Sequence, residues 1–567
     1  FFLYLVLMSL YILLKKTILF NFFVLAAFYS ICLSQNFIYD PDDWTAFTEV
    51  QTINSISEND RFVMFGTNNG VHSFNKDSEK FFYDYGFNHN LPSANIHHIL
   101  YDEYRDYIWI VHDLGVSYKS IIGHTYNNLD FFELGLVNYR DIVNIGIDFS
   151  YFWVSTTTSD SNLNPVKNNL YIPVDPFSGF KVVQSSFNNI DFDVESIKWG
   201  TSLISRNQVE YNLFSYNLRS IDSRYSYDIL DKINANLKFI DERGNTWFGT
   251  NVGLLIKAER DSYFCEIISL GLNFSDVTSI YLDQYSNWWF SDSYFKRTGS
   301  LFYKNKYNLN GIKSIMSKWN YDDKELSNFY DTENIFFNNN VNVNSILVDG
   351  GLAYLGTMDG VVCYNLLDKK WIENNNLMSF SDKAIWDMEI VGDEIFLATS
   401  SGILIMDNDE EMNISIKDSF EKFENIEIYG FEANQENLFI TCSAGLFVYT
   451  LGGKIDKISD LGFKQIVFSS NQLYGLYNKN IYRIENKQNT IIFRGVHSFD
   501  TFNNFFVLNK RKKVILVDDL NSMQWEYSSI DGIVGSFIYD VKLAEKQMVF
   551  LTNKGISFYE WTSYHEN

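Results

Sequence analysis

The chain is poor in the residues that mark several common classes of protein. Its 567 residues include only 5 prolines and 4 cysteines, and no two cysteines are spaced as a CxxC pair or as metal ligands. The sequence therefore predicts neither a disulfide framework nor a zinc site. Basic residues number 45 against 70 acidic ones, and the formal charge of −25 disfavours contact with nucleic-acid phosphates or anionic membranes.

Sequence signatures of catalysis are missing as well. The chain contains no HExxH, GxSxG, Walker A or GxGxxG pattern. His97 and His98 are adjacent at the start of a repeat strand, where neighbouring side chains point to opposite faces, so they are not expected to bind one metal ion. We predict no catalytic residue, no metal ion and no cofactor.

A short motif recurs down most of the chain. It consists of a strand of the form aromatic-apolar-Gly/Ala-Thr, a tight turn, and a second strand that begins with glycine. The clearest copy is TWFGTNVGLLI from Thr246, and further copies begin at Phe62, Ile108, Ala353, Ile395, Leu438 and Met548. A period of about forty residues in which every unit is strand is typical of β-propeller blades.

The number of repeats predicts more than one ring. The central aromatic residues mark eleven units, and a degenerate segment at residues 194–216 would raise the total to twelve. Single propellers carry about four to eight blades, so the chain is expected to form two propellers of roughly six four-stranded blades each. Because tryptophan marks the early units and tyrosine or phenylalanine the later ones, we predict a first set of blades in residues 35–340 and a second in residues 341–567. An Asn-rich, linker-like stretch at residues 303–340 precedes the second set.

The two ends of the chain suggest an alternative arrangement. The last unit ends soon after the strand that follows Gly555, whereas residues 43–47 resemble the outer strand that this unit lacks. Propellers often complete one blade with strands from both chain ends, which leaves no open sheet edge. If these segments pair, both termini belong to one ring, and the other ring is inserted within it.

The N-terminus has the pattern of a secretory signal peptide. Lys15 and Lys16 precede an apolar run at residues 17–28, and the small residues Cys32 and Ser34 predict cleavage after Ser34. Residues 1–14 are predicted to lie upstream of the true start, and an uncleaved anchor is the alternative. We expect a periplasmic, outer-membrane-associated or extracellular protein that contacts the membrane only through its signal or a partner.

Aromatic residues in segments that break the repeat are candidate contact residues. Trp199 lies in the degenerate unit, and Trp319 and Tyr321 lie in the Asn-rich insertion. Aromatic side chains in loops stack on sugars or anchor protein partners. Packing within an irregular blade is the alternative role for all three.

The segment DERGNTWFGTNVGL, which begins at Asp241, resembles the two-component-regulator propeller repeat. That repeat reads Asp-x-x-Gly-x-x-Trp-apolar-Gly/Ala-Thr-x-x-Gly-Leu, and Leu91-Pro92 resembles the Leu-Pro that often opens the next copy. The resemblance spans roughly residues 44 to 560, although the copies after residue 341 lack the tryptophan. It implies a propeller fold and two functional contexts.

One context is the periplasmic sensor half of hybrid two-component systems, which binds oligosaccharides and continues into a β-sandwich, a membrane span and a kinase. The other is the PorZ-like double propeller of the type IX secretion system, which normally carries a C-terminal sorting domain. Neither continuation is seen in this sequence. We therefore predict a non-enzymatic exported scaffold that binds an envelope protein or glycan. A glycan sensor without its kinase is one alternative, and a propeller lyase or glycosidase with acid and base on different blades is another.

Overall fold

The regular secondary structure of the described residues is almost entirely β-strand. The structure, a computed structural model, describes residues 43–82, 91–123, 125–159, 165–177, 194–203, 210–216, 218–220, 233–272, 274, 276–291, 314–330, 343–372, 383–407, 412–415, 417–434, 436–451, 453–485 and 488–565. The predicted signal peptide lies outside these residues. Within them the strands pair into eleven sheets, nine of which have four strands, so the predicted all-β fold of propeller blades is confirmed.

Four sheets form the N-terminal group, whose first strands are β2, β6, β10 and β17. The strands up to this point in the chain are β1 (Trp44–Thr48), β2 (Ile53–Glu58), β3 (Phe62–Thr67), β4 (Gly70–Asn75), β5 (Lys80–Phe82), β6 (Ile96–Asp102), β7 (Tyr107–His112), β8 (Gly115–Ser120), β9 (Asn127–Leu129), β10 (Ile142–Ile147), β11 (Phe152–Ser159), β12 (Pro165–Val174), β13 (Lys198–Trp199), β14 (Thr201–Ser202), β15 (Tyr211–Asn212), β16 (Arg219–Ser220), β17 (Asn234–Ile240), β18 (Thr246–Thr250), β19 (Leu254–Ala258) and β20 (Phe264–Ser269). Helix α1 (Phe131–Leu134) and 3-10 turns at Tyr139–Asp141, Val194–Ser196 and Leu213–Tyr216 lie between them.

Seven sheets form the C-terminal group, whose first strands are β21, β25, β29, β33, β37, β41 and β45. Its strands are β21 (Ser279–Leu282), β22 (Asn287–Ser291), β23 (Ser314–Asn320), β24 (Glu325–Tyr330), β25 (Val343–Asp349), β26 (Leu352–Thr357), β27 (Gly360–Asn365), β28 (Lys370–Ile372), β29 (Ile385–Val391), β30 (Glu394–Thr399), β31 (Gly402–Asp407), β32 (Ile414–Ser415), β33 (Ile428–Ala433), β34 (Asn437–Cys442), β35 (Gly445–Thr450), β36 (Lys454–Ser459), β37 (Gln465–Ser469), β38 (Gln472–Tyr477), β39 (Asn480–Glu485), β40 (Gln488–Arg494), β41 (Ser498–Phe502), β42 (Phe505–Asn509), β43 (Val514–Asp518), β44 (Met523–Tyr527), β45 (Ile538–Leu543), β46 (Met548–Thr552) and β47 (Gly555–Tyr559). A 3-10 turn at Asp418–Phe423 and helix α2 (Thr562–His565) complete the described elements.

The first strands of neighbouring sheets contact one another in chain order. In the C-terminal group the contacts run from β21 through β25, β29, β33, β37 and β41 to β45. The sheet of β45–β47 then packs against the sheet of β21–β24 through a hydrophobic cluster that includes Phe47, Trp288, Val549 and Phe558. In the N-terminal group β2 contacts both β6 and β17, and β6 contacts β10.

Strand β1 completes the last sheet of the chain. It pairs antiparallel with β47, from Trp44 opposite Tyr559 to Thr48 opposite Gly555. The indole of Trp44 is buried and stacks on Tyr559 at a centroid distance of 4.6 Å. The N-terminal segment therefore supplies the outer strand that the last repeat lacks, and this pairing covers an otherwise open edge.

The recurring aspartate of the repeat has a structural role. In the copy at Asp241, one carboxylate oxygen accepts a hydrogen bond from the backbone N–H of Asn245 at 2.8 Å. The other accepts one from Nε1 of Trp247 at 2.9 Å. Asp283 bonds Trp289 in the same way, at 2.8 Å. At this spacing one aspartate accepts hydrogen bonds from both the turn backbone and a buried indole, which explains why the two residues recur together.

The degenerate segment does not form a sheet of its own among the described residues. Strand β13 pairs with β10, β14 pairs with β2, and β15 pairs with β17. Its strands are only two residues long, so each extends a sheet that already exists. The described residues therefore show eleven sheets, one for each unit marked by a central aromatic. None of the helices described is long and apolar enough to cross a membrane.

Candidate functional site

The three aromatic residues singled out in the sequence are not brought together into one site. Trp319 lies in β23 with 0% exposure and packs against Phe47 at 4.8 Å and Phe558 at 6.2 Å. Its indole belongs to the hydrophobic core and presents no surface to a ligand. Trp199 lies in β13 in the other group of sheets, where it is half-buried and 5.7 Å from the ring of Tyr171.

Tyr321 follows Trp319 but lies at the surface, in the turn after β23. The ammonium of Lys324 lies 3.9 Å from its ring centroid and forms an ion pair with Glu560 at 3.0 Å. Burial, followed by the charge of the Glu560 carboxylate, raises the pKa of Tyr321 to about 12. The phenol therefore stays protonated at neutral pH and is part of a local polar contact.

A charged cluster lies on the first strands of the C-terminal group. We call it the central charged cluster, and its members are Asp387 and Glu389 on β29, Glu432 on β33, Asp500 on β41, and Asp540 and Lys542 on β45. Strands β29, β33, β37, β41 and β45 contact one another in that order. The carboxylates on four of them, Asp387, Glu432, Asp500 and Asp540, all act on the charge of Lys542, so these side chains lie close together. The strand register shifts just before Asp387 and just before Asp540, and such bulges re-aim the side chains that follow.

Carboxylates of this cluster accept hydrogen bonds from backbone N–H groups of the next first strand. The N–H of Phe431 donates to Oδ2 of Asp387 at 2.8 Å. The N–H of Phe468 donates to Oε1 of Glu432 at 3.2 Å. Asp500 on β41 continues the pattern, because its Oδ2 accepts a hydrogen bond from the N–H of Leu543 on β45, the next first strand, at 3.0 Å. A first strand has an open edge, and each carboxylate supplies an acceptor that this edge needs.

The cluster also shifts the acidity of its members. Burial raises the pKa of Glu389 to about 7 and that of Glu432 to about 8. Burial alone would lower the pKa of Lys542, but the neighbouring carboxylates, chiefly those of Asp500 and Asp540, hold it above its usual range. The ammonium therefore stays charged, while the two glutamates titrate near neutral pH. Groups of this kind, gathered from different strands, are candidates for binding or acid–base chemistry.

No metal site is formed in the described residues, where no group of three or more His, Cys, Asp or Glu side chains could hold an ion. The cluster was missed in the sequence because its members are far apart in the chain and no motif joins them. One signal was present: when the repeats are aligned on the strand before the aromatic motif, Glu389, Glu432 and Lys542 occupy corresponding positions. Charged residues are unexpected in strands with both faces covered.

A second candidate lies on a surface of the N-terminal group. We call it the capped-loop surface, and it consists of the exposed side chains of Leu114, Phe132, Val137 and Arg140. Phe132 is 86% exposed, Val137 85% and Leu114 62%. Leu114 is beside the loop because its neighbour Gly115 approaches the backbone of Leu129 and Asp130.

The backbone beneath this surface is held in place by helix caps. Asp130 caps α1 and forms a reciprocal capping box with Glu133. Asn138 and Asp141 form the same arrangement around the following 3-10 turn. The loop is thus fixed by its own hydrogen bonds, although it displays apolar side chains to solvent.

A histidine ties the loop to the neighbouring turn. The ring of His97 stacks on Tyr139 with a centroid distance of 3.7 Å and an interplanar angle of 5°. Its Nε2 lies 2.8 Å from Oδ1 of Asp113, which also accepts from the side-chain amide of Asn95. Burial lowers the pKa of His97 in spite of the opposing effect of Asp113, so the imidazole is neutral at neutral pH.

Comparisons with known proteins find similar folds but no family. No family model matches the chain, and no curated protein matches it. Similar solved structures include the extracellular domain of the hybrid two component system BT3049 from Bacteroides thetaiotaomicron, at 15% identity and a TM-score of 0.40, covering 91% of this chain and 69% of that one. The extracellular domain of the one component system BT4673 from the same organism has 12% identity and a TM-score of 0.37, covering 89% and 69%.

An inactive variant of virginiamycin B lyase from Staphylococcus aureus, solved with quinupristin, is similar over 50% of this chain and 94% of its own, at 12% identity and a TM-score of 0.36. The first two are extracellular domains of regulatory systems. Likenesses at this level carry no argument about function, and the fold described above rests on the strand pairing itself.

Proposed function

We propose that this chain is an exported β-propeller binding protein of the bacterial cell envelope, which acts as a scaffold by holding a protein partner on the capped-loop surface. The supporting observation is the exposure of Leu114, Phe132 and Val137 on a backbone fixed by two sets of helix caps. Exposed apolar side chains on an ordered loop are typical of protein contacts. Two of the three are aliphatic, which favours a protein over a glycan because sugars stack on aromatic rings.

The test is a capture experiment on the envelope fraction of the source cells with the tagged full chain. The variant carries Phe132→Ser and Val137→Ser, and the control carries Ile530→Ser, whose side chain is equally exposed at 86% elsewhere. We expect one or more envelope proteins to be retained by the parent and the control but lost from the double variant. Equal retention by all three would refute this surface as the binding site.

The same eluate tests the finer alternatives. Enrichment of outer-membrane secretion proteins would favour a PorZ-like role in type IX secretion. Retained oligosaccharide without protein would favour the glycan-sensing alternative. The location in the envelope depends on the predicted signal peptide, and N-terminal sequencing of the exported protein, with residue 35 as the expected first residue, tests it.

An enzymatic function is a second candidate because of one observation in the central charged cluster. Glu389 and Glu432 lie on neighbouring first strands and have pKa values of about 7 and about 8. A glycosidase or lyase needs a carboxylic acid that is still protonated near neutral pH. Turnover of a panel of polysaccharides by the parent chain, abolished by Glu432→Gln, would establish this function, and absence of turnover would exclude it for that panel.

We also propose the nested arrangement of the two rings. It is supported by the pairing of β1 with β47 and by the packing of the β45–β47 sheet against the β21–β24 sheet. In this arrangement the C-terminal group is a seven-bladed ring that contains both β1 and β47, and the N-terminal group is inserted between β1 and β21. Limited proteolysis would test it, because cleavage in residues 303–313 should leave the fragments associated under native conditions if β21–β22 and β23–β24 belong to one blade.

A further inference from the structure

Positive charge is concentrated at one end of two neighbouring sheets of this acidic protein. We call this region the basic patch: Lys464 before β37, Lys479 in the β38–β39 turn, and Lys510, Arg511 and Lys512 in the β42–β43 turn. Lys464, Lys479, Lys510 and Arg511 all act electrostatically on His497, which lies just before β41. Two turns that are far apart in sequence are therefore close together in space.

The patch contrasts with several exposed basic residues elsewhere that are paired with acids. Lys198 pairs with Glu103 at 2.7 Å, Lys324 with Glu560 at 3.0 Å, and Lys513 with Glu526 at 2.7 Å. Among the residues that the structure describes, Lys479, Lys510 and Arg511 form no ion pair with an acid. In a chain with 70 acidic residues, such a group creates a local positive potential within a negative field.

Arg511 is held in a defined orientation within the patch. Its Nε donates to Nδ1 of His497 at 3.1 Å, and its guanidinium carbon lies 5.5 Å from the ring centroid of Phe537. Its backbone is fixed at both ends, because its N–H donates to Oδ1 of Asn509 at 2.7 Å and its carbonyl accepts from Ile538 at 2.7 Å. Burial, followed by the charges of Arg511 and the lysines, lowers the pKa of His497, so the neutral imidazole keeps Nδ1 as an acceptor.

This arrangement leaves one edge of the guanidinium available. Arg511 is exposed, and its two terminal nitrogens form no hydrogen bond within the described part of the chain. A guanidinium edge binds a carboxylate through two parallel hydrogen bonds. Lys510 is also positioned, because its ammonium donates to the carbonyl of Arg494 at 2.7 Å and keeps donors to spare.

We propose that the basic patch docks a short acidic segment of a protein partner, with one carboxylate bound to Arg511 and others to Lys479 and Lys510. The cations lie on two turns at the surface, so a ligand must carry several negative groups a few residues apart. A long polyanion such as a nucleic acid would extend beyond the patch and be repelled by the rest of the chain. A short run of aspartate or glutamate residues avoids this repulsion. The surface is separate from the capped-loop surface, and the proposal holds whichever partner binds there.

The test measures binding of a short fluorescent peptide of consecutive glutamates to the full chain by anisotropy. We expect Arg511→Gln with Lys479→Gln to weaken binding by about tenfold or more, since charge-assisted bonds are lost. Arg511→Lys keeps the charge but removes the paired donors, and we expect a smaller loss of about threefold. The matched control is Lys80→Gln with Lys370→Gln, two exposed lysines on other sheets, which should leave binding unchanged.

Two competitors identify the ligand class. Inorganic phosphate should displace the peptide only at far higher concentration, and polygalacturonate should bind more weakly than the peptide. Equal binding by the double variant and the parent would overturn the site. Tighter binding of polygalacturonate would overturn the assignment to a protein partner. Thermal unfolding of each variant should match that of the parent, because the substituted side chains are at the surface.

Discussion

The first strands of both groups of sheets have backbone N–H groups that need acceptors. The N-terminal group supplies hydroxyls as acceptors, and the C-terminal group supplies carboxylates. In the N-terminal group the hydroxyl of Ser55 accepts a hydrogen bond from the N–H of Ile99 at 2.9 Å, and that of Ser57 accepts from Tyr101 at 2.9 Å. In the C-terminal group the carboxylates of Asp387 and Glu432 do this for the next strand. The open edge of a first strand therefore requires an acceptor but does not require a charge.

The choice of acceptor decides what can lie beside these strands. A hydroxyl can also donate, and Ser55 donates to the carbonyl of Thr201 at 2.8 Å. Residues 198–203 can therefore pair with the edges of β10 and β2 and lie against β6. A carboxylate would repel that carbonyl. In the C-terminal group the first strands instead surround Lys542, which neutralises part of the acidic charge.

The largest expected effect is that of removing the central positive charge. Lys542→Met leaves several enclosed carboxylates without a counter-charge, and we expect it to lower the free energy of unfolding by about 3–5 kcal/mol. Urea denaturation at neutral pH measures this. Lys370→Met removes an exposed lysine and should change stability little. If both variants lose the same amount, Lys542 does not compensate the cluster.

The second largest loss of stability is expected when a hydroxyl acceptor of the N-terminal group is replaced by a carboxylate like those of the C-terminal group. Ser55→Asp places a carboxylate against the carbonyl of Thr201, and we expect a loss of about 2–3 kcal/mol in the free energy of unfolding. Ser55→Ala removes the hydroxyl without adding a charge and should lose about 1 kcal/mol. Denaturation of both variants separates the two contributions. An aspartate variant as stable as the alanine variant would contradict the role given to the donating hydroxyl.

A smaller effect is expected from crowding residues 198–203. A Cβ atom added at Gly146 would lie 2.6 Å from the side chain of Ile197 and 2.8 Å from that of Trp199. Gly146→Ala should therefore destabilise the protein by about 1–2 kcal/mol and speed amide exchange in residues 198–203. In the control Gly123→Ala the nearest atom is the Ser120 carbonyl oxygen at 3.3 Å. Unchanged exchange would mean that this segment is not held by β10.

An effect of similar size is a pH dependence that arises in the C-terminal group. Burial raises the pKa of Glu432 from 4.5 to about 8, so between these values the folded state holds a proton that the unfolded state has lost. Stability is therefore highest below the unfolded pKa and falls as pH rises through about 8, by about 1–2 kcal/mol after allowance for partial exposure. Glu432→Gln should reduce this slope in urea denaturation, whereas the exposed Glu545→Gln should not. An unreduced slope in the first variant would show that Glu432 is ionised in the folded protein across this range.

The blades were predictable because their determinants are local. Asp241 accepts hydrogen bonds from its own turn and from the indole of Trp247, which is only six residues further along the chain. Both residues are therefore visible in one copy of the repeat. The glycine of the turn is also required locally, because the φ of Gly253 is +74°. The pairing of residues 43–47 with the last unit was predictable from the strand that this unit lacks.

The candidate sites depend on contacts that the sequence does not show. Trp319 stood in a segment that breaks the repeat, but it packs as a buried residue against Phe558. Glu389 and Lys542 are separated by more than a hundred residues, and only the succession of first strands brings them together. The basic patch also joins two turns from different sheets. No pattern within one repeat indicates which turns become neighbours in the folded chain.

The sequence by itself determined the repeat, the strand order within each blade and the outer strand supplied by the N-terminus, because these follow from side-chain alternation, turn chemistry and an unfilled edge. Only the tertiary structure decided what the polar side chains of the first strands contact. In one group a hydroxyl contacts residues 198–203, and in the other carboxylates enclose Lys542. The physical reason is that an acceptor's partner is set by the neighbouring sheet, and its charge matters only once the surrounding residues have excluded water.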